Sequence, residues 1–364
     1  MSTRTASSRT GGTRRKVVLM ALRMLVIAAI VLLVLWKFDF NEIHSAFDIT
    51  SWPFLAGAVL ANFASVAFKG LAWKGVVDGL PAVKTRTRYR DLIGPLFIGF
   101  LFNTLLAARV GEFVKVLLAR RRLQARGQPV EATSLLGSVV VENLVGTITW
   151  VGLVVGIGIF LPLPRYAWIA SVSLGVACLA VVVVALLSGK RVGQLAPWLK
   201  TGTLWARITR ATVRLWGAVQ ESHVALRDRR LLTTVTAASL ATWFAQWTGI
   251  YLTLCAFGLE RVGWGGAGLL LVTVTLAQAF PVLPGNLVVF QAAAVLPLTA
   301  SYGVGAAEAL AFSIVLQGTE AIVGVAVGFL FLLGEGVGFG QLRKEAEEEE
   351  RAAHAAAPES PAAH

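Results

Sequence analysis

Charge is scarce in this chain. Asp, Glu, Lys and Arg make up 15% of its 364 residues, against about a quarter in a soluble domain. With 56% apolar residues and a mean hydropathy of +0.71, that scarcity excludes a cytosolic enzyme. Disorder is excluded too, because a disordered chain needs few large apolar residues. Of the two cysteines, Cys178 and Cys255, each sits inside an apolar run, which rules out a disulfide framework and a thiolate metal site. The four histidines (His44, His223, His354 and His364) are too scattered for a zinc site. There is no nucleotide-binding glycine loop and no nucleophile–base pair. No metal, no cofactor and no enzymatic reaction is therefore expected, and what remains is an integral membrane protein.

At about 20 apolar residues per crossing, the apolar runs fall at 17–36, 53–73, 92–118, 133–160, 166–188, 231–257, 267–300 and 306–333. The first follows Arg4, Arg9, Arg14, Arg15 and Lys16 but has no small-residue cleavage site, so it reads as an uncleaved helix. Two runs are interrupted, one at Ala107-Ala108-Arg109-Val110-Gly111-Glu112 and one at Pro281-Val282-Leu283-Pro284-Gly285-Asn286. The positive-inside rule decides their course. If both are re-entrant, the cytoplasmic side carries five basic residues in the N-tail and six between Lys69 and Arg90. It also carries six between Arg109 and Arg126, nine between Lys190 and Arg230, and three in the C-tail. That is 29 of 33. The net charge of +13 thus marks loop orientation and does not point to nucleic acid.

The predicted fold is an all-α integral membrane protein with six full spans and two re-entrant helical hairpins arranged as inverted repeats, both termini cytoplasmic. Repeat one covers 53–160 and repeat two 231–333. They lie within a membrane region of 17–340, flanked by a basic tail (1–16) and an acidic, solvated tail (341–364). The hairpin breaks Ala107 and Pro284 are 177 positions apart; the carboxylates Glu142 and Glu320 are 178 apart, each followed four residues later by Gly146 or Gly324. Interrupted helices at matching places in inverted halves point to a transport site near the midplane. The insert 189–230 places Leu204, Ile208, Ala211 and Leu215 at helical spacing beside Arg207, Arg210 and Arg214, as expected of a basic amphipathic helix on anionic headgroups.

The candidate binding residues are charges at membrane depth, which normally face a protein interior or water and pair. Arg109, Glu112 and Lys115 share the first hairpin. Arg109 and Lys115 suit an anionic headgroup, and an Arg109–Glu112 ion pair is the structural alternative. Glu142 reads as an acceptor for a headgroup amine or a proton, or as a partner for Arg109. Glu320 has Gln317, Gln278 and Gln291 as expected neighbours. Pro284, Gly285 and Asn286 open the backbone of the second hairpin. Asn103 and Thr104 are expected to satisfy freed carbonyls.

The run Asn103-Thr104-Leu105-Leu106-Ala107-Ala108-Arg109-Val110-Gly111-Glu112-Phe113-Val114-Lys115 resembles the N-x-x-L-P-x-R-x-G-E-x-x-R stretch of the lysylphosphatidylglycerol synthase transmembrane region family, the flippase-like proteins. Val141-Glu142-Asn143-Leu144 is similar to its E-R-L span, and Pro284-Gly285-Asn286-Leu287 to its P-G-G-x-G break. Ala107 replaces the usual Pro, Lys115 and Asn143 replace Arg, and Gln291 replaces Glu. The resemblance covers about residues 15–335 and implies the flippase half without the aminoacyl-transfer domain. It implies movement of an anionic phospholipid or polyprenyl-phosphate-linked lipid between leaflets of the cell membrane. The expected partners are that lipid, a separate synthase or glycosyltransferase, and a second copy of the chain. Two alternatives stay open: a non-catalytic accessory subunit of a glycosyltransferase or lipid-modifying enzyme, and an ion-coupled carrier of a small anion.

Overall fold

The computed structural model describes residues 49–105, 110–160, 228–278 and 288–335, with six positions from 165 to 180. The first span, the amphipathic insert (except for residues 228–230), the acidic tail, Arg109 and Pro284-Gly285-Asn286 lie outside the described residues. The secondary structure among the described residues is helical. Eight helices follow in order: α1 (Trp52–Asp78), α2 (Tyr89–Leu105), α3 (Val110–Gln124), α4 (Ala132–Phe160), α5 (Arg229–Ala256), α6 (Gly263–Gln278), α7 (Val289–Tyr302) and α8 (Ala306–Gly334).

Local chemistry sets several of their ends. A proline in the first turn of α1 suits a position whose N–H has no helical partner. Asp228 caps α5 by accepting the Arg230 backbone N–H at 2.8 Å. Gly303 ends α7 in the left-handed conformation, at φ 62°. Within α8 the residues Val323–Val327 widen into a π turn, a local insertion often found where a helix carries function.

α1, α4 and α8 are long and apolar enough to cross a membrane. α5 has 28 residues but interleaves Thr, Gln and Ser with its apolar positions, so it is not among them. Much of the apolar surface of the long helices faces outward: Leu60 is 67% exposed, Ile159 71% and Leu330 66%. In water such a surface would drive association; in lipid it is the ordinary exterior of a span. The chain is a membrane protein.

Lipid tails are as apolar as leucine, so helices in a bilayer associate by close packing rather than by hydrophobic burial. The α1–α5 seam follows that rule. Gly57 faces Leu252 and Gly75 faces Val235, so the pair runs antiparallel. α2 and α3 form a hairpin that closes at Gly99 and Gly111, where a Cβ on Gly111 would lie 1.9 Å from the Gly99 carbonyl oxygen. The second half of α8 lies on α2, with a Cβ on Gly328 only 2.6 Å from the Phe97 carbonyl oxygen. The second half of α4 lies on α6, joining Trp150 and Val154 to Leu269 and Val272 in one buried cluster.

Two larger cores result. One gathers Trp73, Leu92, Phe97, Leu123 and Leu135 from α1 to α4. The other gathers Leu254, Leu270, Phe290, Leu298 and Phe312 from α5 to α8.

Candidate functional site

The first core carries a charged cluster. Lys69, on α1, donates to Glu142 Oε1 on α4 at 2.8 Å and to Asn143 Oδ1 at 3.2 Å. The Glu142 side chain is 2% exposed, and its Oε2 has no hydrogen-bond partner among the described residues. On α3, Lys115 is buried and lies 2.6 Å from Glu112 one turn earlier. Its ammonium also sits 5.1 Å from the centroid of the Trp73 ring, a cation–π contact strengthened by exclusion of water. The Trp73 indole N–H donates to Ser138 Oγ at 3.0 Å, which ties α1 to α4 beneath the charges. Trp73 stands one turn after Lys69 on α1 and beneath Lys115 of α3, so it joins the two ion pairs. Two cations and two carboxylates therefore interact within one helical cluster and sum to zero.

Glu142 is paired with Lys69; Arg109, the partner expected from the sequence, lies outside the described residues. Lys74, beyond the run predicted at 53–73, is not a loop residue. α1 continues to Asp78 because Ala72, Trp73, Val76 and Val77 still pack inward, which brings Lys74 inside the helix. The sequence analysis did not single out Lys69 or Trp73. The available signal was an apolar stretch that runs past residue 73, with a basic residue one turn before a tryptophan.

At the hairpin, Asn103 Oδ1 accepts the Gly111 backbone N–H at 2.9 Å. It satisfies a freed amide rather than the expected carbonyl, because its carbonyl oxygen faces the first turn of α3, where N–H groups lack helical acceptors. Thr104 does take a carbonyl, that of Phe100, at 2.9 Å.

The second half presents a cavity of about 70 Å³ whose polar lining includes Asn62, Gln246, Thr275, Gln278, Thr319 and Glu320. Gln278 Nε2 donates to Glu320 Oε2 at 3.3 Å. No lysine or arginine lines the cavity among the described residues. Gln291 turns elsewhere, accepting the Val288 N–H at 2.6 Å and donating to Gln317 at 2.6 Å. Of the three amides expected around Glu320, Gln278 reaches it, while Gln291 and Gln317 bond each other. Val288 stands at φ 77°, a strained conformation for a β-branched residue, directly after the second break. Asn62 and Gln246 are further polar residues that the sequence analysis did not single out.

Residues 20–328 match the family described as lysylphosphatidylglycerol synthase TM region. The chain belongs to that family. No curated protein and no solved structure gives a significant match. Membership joins the membrane architecture to a lipid-related function, since the family is the membrane region of a lipid synthase. The matched stretch contains both polar sites. In this family member the Arg-x-Gly-Glu segment contributes Glu112 to the charged cluster, and Lys115 lies beside it over Trp73.

Proposed function

We propose that this protein moves a lipid with an anionic headgroup, a phospholipid or a polyprenyl-phosphate-linked lipid, between the leaflets of the cell membrane. The observation that carries the proposal is the cluster of Lys69, Glu142, Glu112 and Lys115, in which Glu142 and Lys115 are buried and Lys69 and Glu112 half-buried. Charges at such depth are costly and are kept where they handle a polar substrate. Each lysine is neutralised by a carboxylate, so a phosphate can bind by exchanging with that carboxylate without leaving a bare cation in the empty state. Arg109, next to Glu112 in sequence, adds a bidentate donor suited to phosphate. Glu320, Gln291 and the Pro284-Gly285-Asn286 break serve the same passage from the second half.

The reading includes six spans, two re-entrant hairpins and inverted repeats (53–160 and 231–333), with both termini cytoplasmic. Three features support it. α2 and α3, and likewise α6 and α7, which flank the two sequence breaks, fold back against each other, with Gly99 against Gly111 in the first pair and Gly266 against Tyr302 in the second. The last helix of each half packs on the first arm of the opposite hairpin, α4 on α6 and α8 on α2. Gln246 follows Lys69 by 177 positions and shares the cavity of Glu320, much as Lys69 meets Glu142.

The test is reconstitution into vesicles with fluorescent phosphatidylglycerol and a membrane-impermeant quencher. Accelerated loss of inner-leaflet protection, abolished by Lys69→Ala, is the expected result. No acceleration for any lipid class, with loss of a glycosyltransferase activity in a deletion strain, would establish the accessory-subunit reading instead. Uptake of a soluble anion alone would establish the small-anion carrier.

A further inference from the structure

A second polar cavity lies away from both sites, at the open base of the first hairpin. It measures about 540 Å³, within the usual range of small-molecule sites. Its walls are the 79–88 loop, the start of α2 and the turn after α3, and they present Arg86, Arg88 and Arg126. Asp91 begins α2, twelve residues before Asn103 at the hairpin tip, so about 18 Å of helix separates this cavity from the break.

The walls are fixed. Asp78 accepts from the Thr87 backbone N–H at 2.7 Å, the Thr87 hydroxyl at 2.6 Å and Lys74 at 2.5 Å. Gln128 Nε2 donates to the Thr85 carbonyl at 2.9 Å and also to its hydroxyl. The loop carrying Arg86 and Arg88 is therefore pinned at Thr85 and Thr87. Arg126 lies 2.9 Å from Asp91 Oδ1, while Arg86 and Arg88 form no ion pair with a described carboxylate. Two further atoms point to a ligand. Asp91 and Gln128 are 5% and 7% exposed, line the cavity, and leave Asp91 Oδ2 and Gln128 Oε1 without a hydrogen-bond donor. Buried acceptors of this kind are costly unless a donor arrives.

Three guanidiniums beside two open acceptors define a ligand with both characters. We propose that this cavity binds a phosphodiester whose substituent carries a hydroxyl or ammonium donor. The phosphate lies among Arg86, Arg88 and Arg126, and the donor lies on Asp91 and Gln128. Guanidinium and phosphate match in charge and in bidentate geometry, and basic pockets between helices at a membrane face commonly hold lipid headgroups. The site goes beyond the transport reading, and its occupancy does not require that the chain move lipid.

The test uses the full-length detergent-solubilised protein and three probes: dihexanoyl phosphatidylglycerol, dihexanoyl phosphatidylmethanol (a phosphodiester without a donor) and glycerophosphoglycerol (the soluble phosphodiester without acyl chains). Saturable phosphatidylglycerol binding is expected, weakened roughly ten-fold in Arg86→Ala/Arg88→Ala and several-fold when phosphatidylmethanol replaces it. Both arginines are exposed, and an unchanged melting temperature verifies that the variant folds. Glycerophosphoglycerol binding as tightly as the lipid identifies a soluble diester as the source, and much weaker binding identifies the lipid. The absence of saturable phosphatidylglycerol binding, binding that survives Arg86→Ala/Arg88→Ala unchanged, or equal affinity for phosphatidylmethanol would each overturn the proposal. Lipid movement in the arginine variant bears on transport alone.

Discussion

The Lys69–Glu142 pair gives the sharpest test of the charged cluster. At 2.8 Å and an effective dielectric of about 20, the attraction of two unit charges is about 6 kcal/mol. Removing each ion from water costs several kcal/mol, so the intact pair contributes little net stability. The single variants are another matter. Lys69→Met leaves Glu142, 2% exposed, as a buried carboxylate with no cation. Breaking such a pair costs about 3–5 kcal/mol; because Lys69 is 24% exposed, solvent screening brings the expectation to the lower end, about 3 kcal/mol. Glu142→Gln strands the ammonium less severely, since Asn143 Oδ1 still accepts from it at 3.2 Å. The double variant Lys69→Met/Glu142→Gln removes both charges and should return to within about 1 kcal/mol of the wild type. Thermal unfolding of the four proteins in one detergent closes a double-mutant cycle with a coupling of more than about 2 kcal/mol. A Lys69→Met protein as stable as the wild type, or a double variant no better than Lys69→Met, would refute the buried-pair reasoning.

The glycines divide by what surrounds them. Gly111→Ala drives a Cβ to 1.9 Å from the Gly99 carbonyl oxygen and should cost more than about 3 kcal/mol or prevent folding. Gly146→Ala, with open space around it, should stabilise α4 by up to about 1 kcal/mol; thermal unfolding reads both. Val288→Gly should raise stability by roughly 1 kcal/mol, because glycine accepts φ 77° without Cβ strain; a fall in melting temperature would contradict that. For orientation, Gln124→Cys should label with an impermeant maleimide from the cytoplasm alone, and Ser301→Cys from outside alone. Both positions are exposed, and labelling of both from one side would remove the inverted-repeat argument.

Much of this architecture is written in residue order. Apolar runs at 53–73, 133–160 and 306–333 correspond to α1, α4 and α8, because twenty consecutive apolar residues have few alternatives to a membrane helix. The folding back of α2 on α3 and of α6 on α7 is consistent with the interrupted runs, while the break residues Arg109 and Pro284 lie outside the described residues. Partnership is what the order hides. Lys69 and Glu142 are 73 residues apart, and hydropathy, which places each inside its own apolar run, does not say which run packs against which. Only the helix phase, which aligns Lys69 and Trp73 one turn apart on the same face of α1, brings the lysine to the cluster. The redirection of Gln291 toward Gln317 is equally invisible, since three glutamines of one kind compete for the same carboxylate.

The contrast between the two halves supports one more prediction. Glu142 and Glu320 are equivalent by spacing, yet their surroundings differ in charge: one faces an ammonium, the other an amide-lined cavity without a described cation. The same substitution should therefore act differently at each. Glu142→Gln removes the anion from a buried ion pair and should lower the melting temperature. In Glu320→Gln an amide replaces a carboxylate among amides. Gln278, which now donates to Glu320 at 3.3 Å, can donate to the new amide oxygen instead, so stability should change by less than about 0.5 kcal/mol. Function should follow charge rather than stability. If Glu320 takes the positive part of a passing headgroup or a proton, Glu320→Gln will stop lipid movement in vesicles while melting like the wild type. Glu320→Asp should restore part of the rate, since it keeps the charge on a shorter arm. A Glu320→Gln protein that moves lipid at the wild-type rate would reduce Glu320 to a packing role and leave the charged cluster of the first half to carry transport.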